Sequence, residues 1–260
     1  MPSLKDRTFV ITGGTSDIGR ALALSLSTQG ADIAIMDNSP DKGRRIVDEI
    51  SDTREVKEHH GKAAYFDIDL TKNDAVKEGF SKAVEAFGAI DILVSAFHSS
   101  KTSILLGPEY LDDFEKLIGI NMRSAVYATQ SVLPFMKGRR RGKIIYVVPD
   151  LMRYGVEGES LASLTRGGLI YYSRALAKEL GSFNISINCV ATGPTEDYLL
   201  TREPKETSLK KAEEKFLKFL PLGRSPRANE VAEVIAFLSS PNADTVTGQT
   251  WAVNGGLTMI

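Results

Sequence analysis

The segment from Thr8 to Gly19 constrains the fold of this chain more than any other. It passes from an apolar strand, Phe9 to Ile11, through a glycine-rich turn into a helix that begins near Ile18. Glycines in such a turn let the backbone approach a pyrophosphate at the N-terminus of the helix. One position departs from that pattern, because Asp17 stands where a glycine is expected. A carboxylate beside a bound pyrophosphate is a like-charge contact, so the turn predicts the fold more firmly than it predicts a bound dinucleotide.

Apolar strands alternate with helices along the rest of the chain. The predicted strands are Phe9–Ile11, Asp32–Asp37, Ala63–Asp67, Ile90–Ser95, Lys143–Val148, Ile185–Val190 and Thr250–Val253. The predicted helices are Ile18–Gln29, Asp41–Asp52, Asn73–Phe87, Leu111–Met136 and Glu159–Leu180. Near-continuous apolar strands joined by helices indicate a parallel sheet covered on both faces. Right-handed crossovers then predict an α/β fold, a single-domain doubly wound Rossmann sheet of seven strands over residues 1–260.

Composition and charge exclude several classes of function. The formal net charge of −1 gives no indication of nucleic-acid or membrane binding. We recognise no signal peptide and no apolar run near the ~20 residues of a membrane span, so a cytoplasmic location is expected. Cys189, the one cysteine, lies in an apolar run and is predicted to be a core residue. No metal site is expected, and the charged stretch at about 195–220 is predicted to form an inserted helical flap.

Several short motifs, in order and correctly spaced, make the whole chain resemble the short-chain dehydrogenase/reductase family. They are Thr12-Gly13, Asp37, Asp69-Leu70, Asn121, Gly193-Pro194 and the tail from Val246 to Gly256. The resemblance implies hydride transfer between a nicotinamide and a carbonyl carbon. In the family a tyrosine moves the proton, a lysine tunes its pKa, a serine binds the substrate oxygen and an asparagine supports them.

The resemblance places these four roles on positions that have mostly lost the required chemistry. The serine position is Pro149, the tyrosine position Ala162 and the lysine position Arg166, so only Asn121 keeps the family residue. Proline has no hydroxyl, alanine has no proton to transfer, and arginine does not titrate. No catalytic residue of the usual kind is therefore expected. Tyr154 is an alternative acid, since the enoyl reductases of this family use a displaced tyrosine.

The cofactor positions implied by the resemblance are partly retained. Gly13, Ile18, Asp37, Asp69 and Leu70 are residual cofactor-binding positions, where Asp37 would take the adenosine ribose and favour NAD over NADP. Three other residues oppose binding. They are Asp17, Phe97, whose bulk stands where small groups line the cofactor trough, and Asp197, which adds a carboxylate after the sixth strand. We expect that no cofactor binds to this chain. If one does bind, we expect it to be NAD.

The elements that build four-subunit assemblies in this family are well patterned here. The resemblance therefore implies a non-catalytic pseudoenzyme subunit that forms a hetero-oligomer with an active short-chain dehydrogenase paralogue. The family includes such an assembly, the 2-[hydroxy(phenyl)methyl]succinyl-CoA dehydrogenase of anaerobic toluene degradation, and this sequence is a candidate for an inactive subunit of that kind. An acyl-CoA substrate of the complex could meet the basic loop Lys137–Lys143.

Two further functions stay open at the level of the sequence. One is an autonomous NAD-dependent oxidoreductase that acts on a hydroxyacyl or alcohol substrate through Tyr154. The other is a homo-oligomeric binding or regulatory protein, for which the family implies a homo-tetramer.

Overall fold

A parallel sheet of seven strands forms the centre of the computed structural model, which describes residues 4–54, 61–96, 110–155, 157, 159–196 and 217–259. The strands are β1 (Thr8–Thr12), β2 (Asp32–Asp37), β3 (Ala63–Asp67), β4 (Ile92–Ser95), β5 (Gly142–Pro149), β6 (Ile185–Thr192) and β7 (Thr250–Val253). Their order in the sheet is β3-β2-β1-β4-β5-β6-β7, and every neighbouring pair is parallel. The predicted α/β class and the seven strands are confirmed.

Helices cover both faces of the sheet. They are α1 (Asp17–Thr28), α2 (Pro40–Arg54), α3 (Asn73–Phe87), α4 (Tyr110–Leu117), α5 (Ser124–Arg139), α6 (Ser160–Leu180) and α7 (Ala228–Ser239). One apolar cluster packs α1, α2 and α7 against one face, and a second packs α3, α5 and α6 against the other. Because each strand is covered twice, its residues are apolar in near-continuous runs rather than in alternation.

Two predictions about the helices are corrected by the structure. The predicted helix Leu111–Met136 is three segments, because a π-helical segment, Ile118–Arg123, separates α4 from α5. A π-helix holds an extra residue per turn, and such insertions are frequent at functional sites. Helix α7 was not predicted, although a carboxylate oxygen of Glu230 in its first turn accepts a hydrogen bond from the Arg227 backbone N–H at 2.8 Å.

The strand order determines where a ligand site is expected. Strand β1 has β2 and β3 on one side and β4 to β7 on the other, so the winding reverses between β1 and β4. In open α/β sheets ligands bind outside the carboxyl ends of the strands at this point. Within the described part of the chain, none of the helices has both the length and the apolar character needed to span a bilayer.

Candidate functional site

The glycine turn after β1 keeps the tight geometry that its sequence predicts. Gly13 has a φ of 74°, a left-handed conformation that favours glycine, and its N–H donates to the Met36 carbonyl at 3.0 Å. A Cβ atom on Gly19 would lie 2.6 Å from the Gly13 carbonyl oxygen. The start of α1 can therefore lie against the turn only with glycine at that position.

Asp17 is the first residue of α1 and places a carboxylate at the helix N-terminus. Ser16 caps the helix, because its hydroxyl accepts a hydrogen bond from the Gly19 N–H at 3.1 Å. The Asp17 carboxylate accepts a short hydrogen bond from the hydroxyl of Thr195, in the loop after β6. This bond joins the loops that follow β1 and β6, across the carboxyl ends of the strands. A negative charge at a helix N-terminus is favourable, so Asp17 takes the position in which the helix would hold a bound anion.

Thr195 is a site residue that the sequence interpretation missed. It is 3% exposed, and its partner Asp17 lies 178 positions earlier in the chain. The next residue, Glu196, pairs with Arg227 at 2.8 Å. Asp197, the carboxylate of this loop that was predicted to oppose cofactor binding, lies outside the described residues. The Gly193-Pro194-Thr195 sequence was the available signal, since this loop follows a strand that ends at the predicted crevice.

The carboxylate of Asp37, predicted to bind ribose hydroxyls, already holds the glycine turn. Its Oδ2 accepts hydrogen bonds from the Thr15 N–H at 3.1 Å and from the Thr15 hydroxyl at 2.6 Å. Its Oδ1 accepts from the Asn38 N–H at 2.8 Å. The Tyr65 hydroxyl donates to the Asp37 backbone carbonyl at 2.7 Å. Burial, with Asp67 and Asp37 nearby, raises the pKa of Tyr65 to about 12, so this donor keeps its proton.

The remaining adenosine positions differ in how accessible they are. Asp69 is exposed, and its Oδ1 accepts hydrogen bonds from the Thr71 hydroxyl at 2.6 Å and from the Thr71 N–H at 2.9 Å. The bond from the hydroxyl is the main reason that the pKa of Asp69 is lowered. The side chains of Ile18 and Leu70 are buried in the core. Only the backbone groups of those two residues can therefore face a ligand.

The four positions that the resemblance assigns to catalysis, three of them degenerate, lie on β5, on α6 and in the π-helical segment that contacts α6. Pro149 ends that strand and lies opposite Thr192 in the register with β6. Ala162 and Arg166 are one helical turn apart on α6 and share a face, and they are 2% and 7% exposed. Asn121, in the π-helical segment, donates to the Thr165 hydroxyl at 3.0 Å. The asparagine therefore binds α6 directly, beside the position of Arg166.

A buried carboxylate, Asp150, lies immediately after the serine position and was not identified from the sequence. It is fully buried and pairs with Arg153 at 3.0 Å. It also accepts hydrogen bonds from the Asn254 amide at 2.8 Å and from the Thr258 hydroxyl. These contacts fasten the loop between β5 and α6 to the C-terminal segment, so the backbone immediately after the serine position is held by an internal network of one ion pair and two hydrogen bonds.

Several predicted features lie outside the crevice or outside the described residues. The ring of Tyr154 is 53% exposed on the loop before α6. Phe97, and residues 197–216 of the predicted flap, lie outside the described residues. The predicted basic loop Lys137–Lys143 is shorter than expected, because α5 continues to Arg139 and β5 begins at Gly142. Only Arg140 and Arg141 connect the two elements, at the opposite end of β5 from Pro149. Since the eight residues of β5 span ~26 Å, a phosphate at that loop would occupy a site separate from the crevice.

The described residues offer no obvious metal centre. Within those ranges no three His, Cys, Asp or Glu side chains are grouped so that they could hold a metal ion. The thiol of Cys189 is buried and donates to the Ser173 hydroxyl at 3.2 Å. Burial raises the pKa of this thiol to about 11, so Cys189 is a core residue and not a thiolate nucleophile.

Known proteins share this fold over nearly the whole chain. The enoyl-(acyl carrier protein) reductase family model matches residues 13–258. The 3-oxoacyl-[acyl-carrier-protein] reductase of Thermotoga maritima is 32% identical over 254 residues, which cover 98% of each chain. Among solved structures, this chain superposes on a 7α-hydroxysteroid dehydrogenase in complex with NADH and 7-oxo glycochenodeoxycholic acid. The TM-score is 0.87 and the identity 27%, and the match covers 98% of this chain and 95% of that one. The 3-ketoacyl-(acyl-carrier-protein) reductase of Brucella melitensis, in complex with NADH, gives 0.84 at 26% identity, with coverage of 99% and 100%.

Proposed function

The chain belongs to the short-chain dehydrogenase/reductase family, and we propose that it is a non-catalytic member that works as a subunit beside an active paralogue. The observation that carries this proposal is the chemistry of two positions. Pro149 ends β5 and Ala162 is buried on α6, and neither has a group that can donate or accept a proton in hydride transfer. The paralogue would supply the proton donor and the group that binds the carbonyl oxygen.

The crevice supports the same proposal, because its residues do not fit the pyrophosphate of NAD. Asp17 places a carboxylate at the N-terminus of α1, and the Thr195 hydroxyl donates to it across the carboxyl ends of the strands. A pyrophosphate there would meet a negative charge and would have to displace this bond. NADH is present in similar solved structures, so NAD is the cofactor we assign to the complex, held by the active subunit.

The outer face of α6 supports a role in assembly. Leu164 and Tyr171 are 54% and 71% exposed and lie two helical turns apart on the same side of the helix. Exposed apolar side chains in such an arrangement are typical of an interface that is covered in the functional assembly.

The substrate class of the complex follows from the relatives. The Thermotoga maritima and Brucella melitensis proteins are reductases of 3-oxoacyl groups on acyl carrier protein. We therefore assign the complex an acyl thioester, carried by coenzyme A or acyl carrier protein. The 2-[hydroxy(phenyl)methyl]succinyl-CoA dehydrogenase is the hetero-oligomeric activity to assay first.

Purification from the native source tests the proposal. We expect a paralogue with intact serine, tyrosine and lysine to co-purify in fixed ratio, and the isolated chain to lack NADH-dependent turnover. Replacing Leu164 and Tyr171 by lysine should release the paralogue, whereas Asp48→Lys, which makes the same total charge change at an exposed position on α2, should not. Recovery of this chain alone as a homo-tetramer would support the binding or regulatory function instead. Turnover by the isolated chain that Tyr154→Phe abolishes would establish an autonomous enzyme and contradict the proposal.

A further inference from the structure

A concentration of basic side chains covers the surface at the amino ends of β4, β5 and β6, on the opposite edge of the sheet from the crevice. Lys137 and Arg139 lie in the last turn of α5, Arg140 and Arg141 connect it to β5, and Lys143 follows in that strand. The three arginines are exposed. We call these five residues the basic patch. Because the formal charge of the whole chain is −1, this positive charge is a local feature.

Two carboxylates neutralise part of this charge. Asp91, just before β4, pairs with Arg139 at 3.2 Å and also with Arg7 at 3.5 Å, so two guanidinium groups share it. Asp244 pairs with Lys143 at 2.8 Å. Among the residues that the structure describes, these are the ion pairs formed by the basic patch and Arg7. Six cations therefore face two carboxylates, which leaves an excess of about four positive charges.

Three cations of the basic patch have no carboxylate partner in the described part of the chain, and two of these are held by neutral groups. The Lys137 ammonium lies 4.8 Å from the centre of the Phe183 ring. Arg140 donates to the Ser182 backbone carbonyl at 2.7 Å. These contacts position the two side chains without cancelling their charge. A partner would therefore lose less side-chain entropy on binding here than at mobile lysines.

The other charged groups near the basic patch leave this excess unchanged. In the described chain they occur as close pairs of opposite sign, which are Lys5 with Asp6, Lys82 with Glu85, and Lys178 with Glu179. With a total charge of −1 and about four positive charges at this edge, the rest of the chain carries about −5. The molecule thus presents one basic edge on an otherwise acidic surface.

This distribution favours a compact acidic partner over an extended polyanion. A nucleic-acid duplex or an anionic membrane that reached beyond the basic patch would meet the net negative charge of the remaining surface. Stacking of single-stranded bases and insertion into a membrane interface use exposed aromatic or apolar side chains. The exposed aromatic side chains of the described residues lie outside the α5–β5 connection and the two connections beside it; they are Tyr154, Tyr171, Phe219 and Trp251.

We propose that the basic patch binds an acidic segment of a partner protein, with several closely spaced aspartate or glutamate side chains. Arg140 and Arg141 offer planar guanidinium forks, which match carboxylate geometry. Strands lie ~4.8 Å apart, so the connections before β4, β5 and β6 span ~10 Å, close to two turns of an acidic helix. The proposal does not rest on the assembly function, because the basic patch is separate from the outer face of α6.

Fluorescence anisotropy with a labelled helical peptide of glutamate and alanine tests this surface. We expect saturable binding that weakens as salt is added, and no binding of the same peptide with glutamine in place of glutamate. Replacing Arg140 and Arg141 by glutamine should weaken binding about fivefold to thirtyfold.

The matched control replaces Arg44 and Arg45 by glutamine, which removes the same two charges from exposed neighbouring positions on α2. Helix α2 lies against β2 and β3. Because β2 is three strand spacings from β5, ~14 Å across the sheet, the control positions lie beyond the ~10 Å Debye length at moderate salt. The control should therefore bind the acidic peptide within about twofold of the unchanged chain.

Three results would overturn the proposal. The first is absence of saturable binding of the glutamate peptide to a chain that is folded by circular dichroism. The second is an equal loss of affinity in the two double variants, which would indicate diffuse surface charge. The third is tighter binding of a DNA duplex or of phosphatidylglycerol vesicles than of the peptide, which would assign the surface to nucleic acid or membrane. The unfolding midpoint of each variant distinguishes a loss of binding from a loss of folding.

Discussion

Replacing Asp17 by glycine is expected to increase the affinity of this chain for NADH. The carboxylate stands at the N-terminus of α1, where the dipole of the helix would otherwise favour the pyrophosphate. The variant removes a like charge and also removes the side chain that bonds Thr195 across the crevice. Gly13 and Gly19 keep the surrounding turn in its tight conformation, so the backbone donors stay in place.

The size of the effect follows from Coulomb's law. Two unit charges ~5 Å apart repel by about 3 kcal/mol at an effective dielectric constant of ~20. Asp17 is half-buried, and screening by salt lowers this to about 1.5–3 kcal/mol. The gain in NADH affinity should therefore be about 10- to 150-fold. The same substitution should destabilise the fold by about 1–3 kcal/mol, because a favourable charge at the helix N-terminus and a charged hydrogen bond are lost.

Two control variants separate the possible causes. Asp17→Asn keeps the size of the side chain and removes its charge, so it should give most of the gain in affinity. Thr195→Val removes the bond across the crevice and keeps the charge of Asp17, so it should give little. NADH fluorescence and calorimetry measure the affinities, and urea unfolding measures the stabilities. Unchanged NADH affinity in Asp17→Gly, or micromolar binding by the original chain, would refute the argument.

Three further predictions concern buried and paired groups. Asp150→Ala should cost about 3–5 kcal/mol in urea unfolding, because it removes the carboxylate from a buried ion pair and also removes the acceptor of the Asn254 and Thr258 hydrogen bonds. The control Asp244→Ala, at a carboxylate that is 66% exposed, should cost under about 1 kcal/mol. The hydrogen bond from Arg224 is the main reason that the pKa of Glu230 lies at about 2, below its ordinary 4.5. The ionised Glu230 therefore stabilises the fold above pH 4.5, and this contribution, about 1 kcal/mol at a partly exposed pair, is lost as the pH falls toward 2. Glu230→Gln should remove that part of the acid dependence of the unfolding free energy. Cys189, whose pKa burial raises to about 11, should react with a thiol reagent at pH 8 only at the rate of unfolding, and fast labelling of the native chain would contradict this.

The fold could be predicted from the sequence because its signals are local. Each strand is a short apolar run, and the turn around Gly13 determines the first crossover by backbone sterics alone. The π-helical segment was missed for the opposite reason: an inserted residue in a helix changes neither composition nor apolar content, so a helical pattern continues across Asn121. Helix α7 was missed because the contact that caps its N-terminus, between Glu230 and the Arg227 N–H, can be recognised only in the structure.

The site was predictable only where single residues decide the chemistry. Pro149 and Ala162 lack the required groups whatever their surroundings. The contacts of Asp150 with Asn254 and Thr258 join residues more than 100 positions apart, and the sequence does not show that they meet. The same holds for Asp17 and Thr195, whose contact depends on where two loops end relative to each other.

The hydrogen bonds of Asp37 lead to a last prediction about the adenosine half of the crevice. An ionised carboxylate offers about four acceptor positions. Three of them are used, two by the N–H and hydroxyl of Thr15 and one by the Asn38 N–H, so Asp37 can accept only one ribose hydroxyl without breaking an internal bond. Thr15→Ala removes the hydroxyl donor and frees a second acceptor, which should raise ADP-ribose affinity about threefold to tenfold in calorimetry. Asp37→Asn in the same background should abolish the gain. If Thr15→Ala leaves the affinity unchanged, the internal bonds of Asp37 do not limit adenosine binding, and repulsion at Asp17 remains the proposed reason for weak dinucleotide binding.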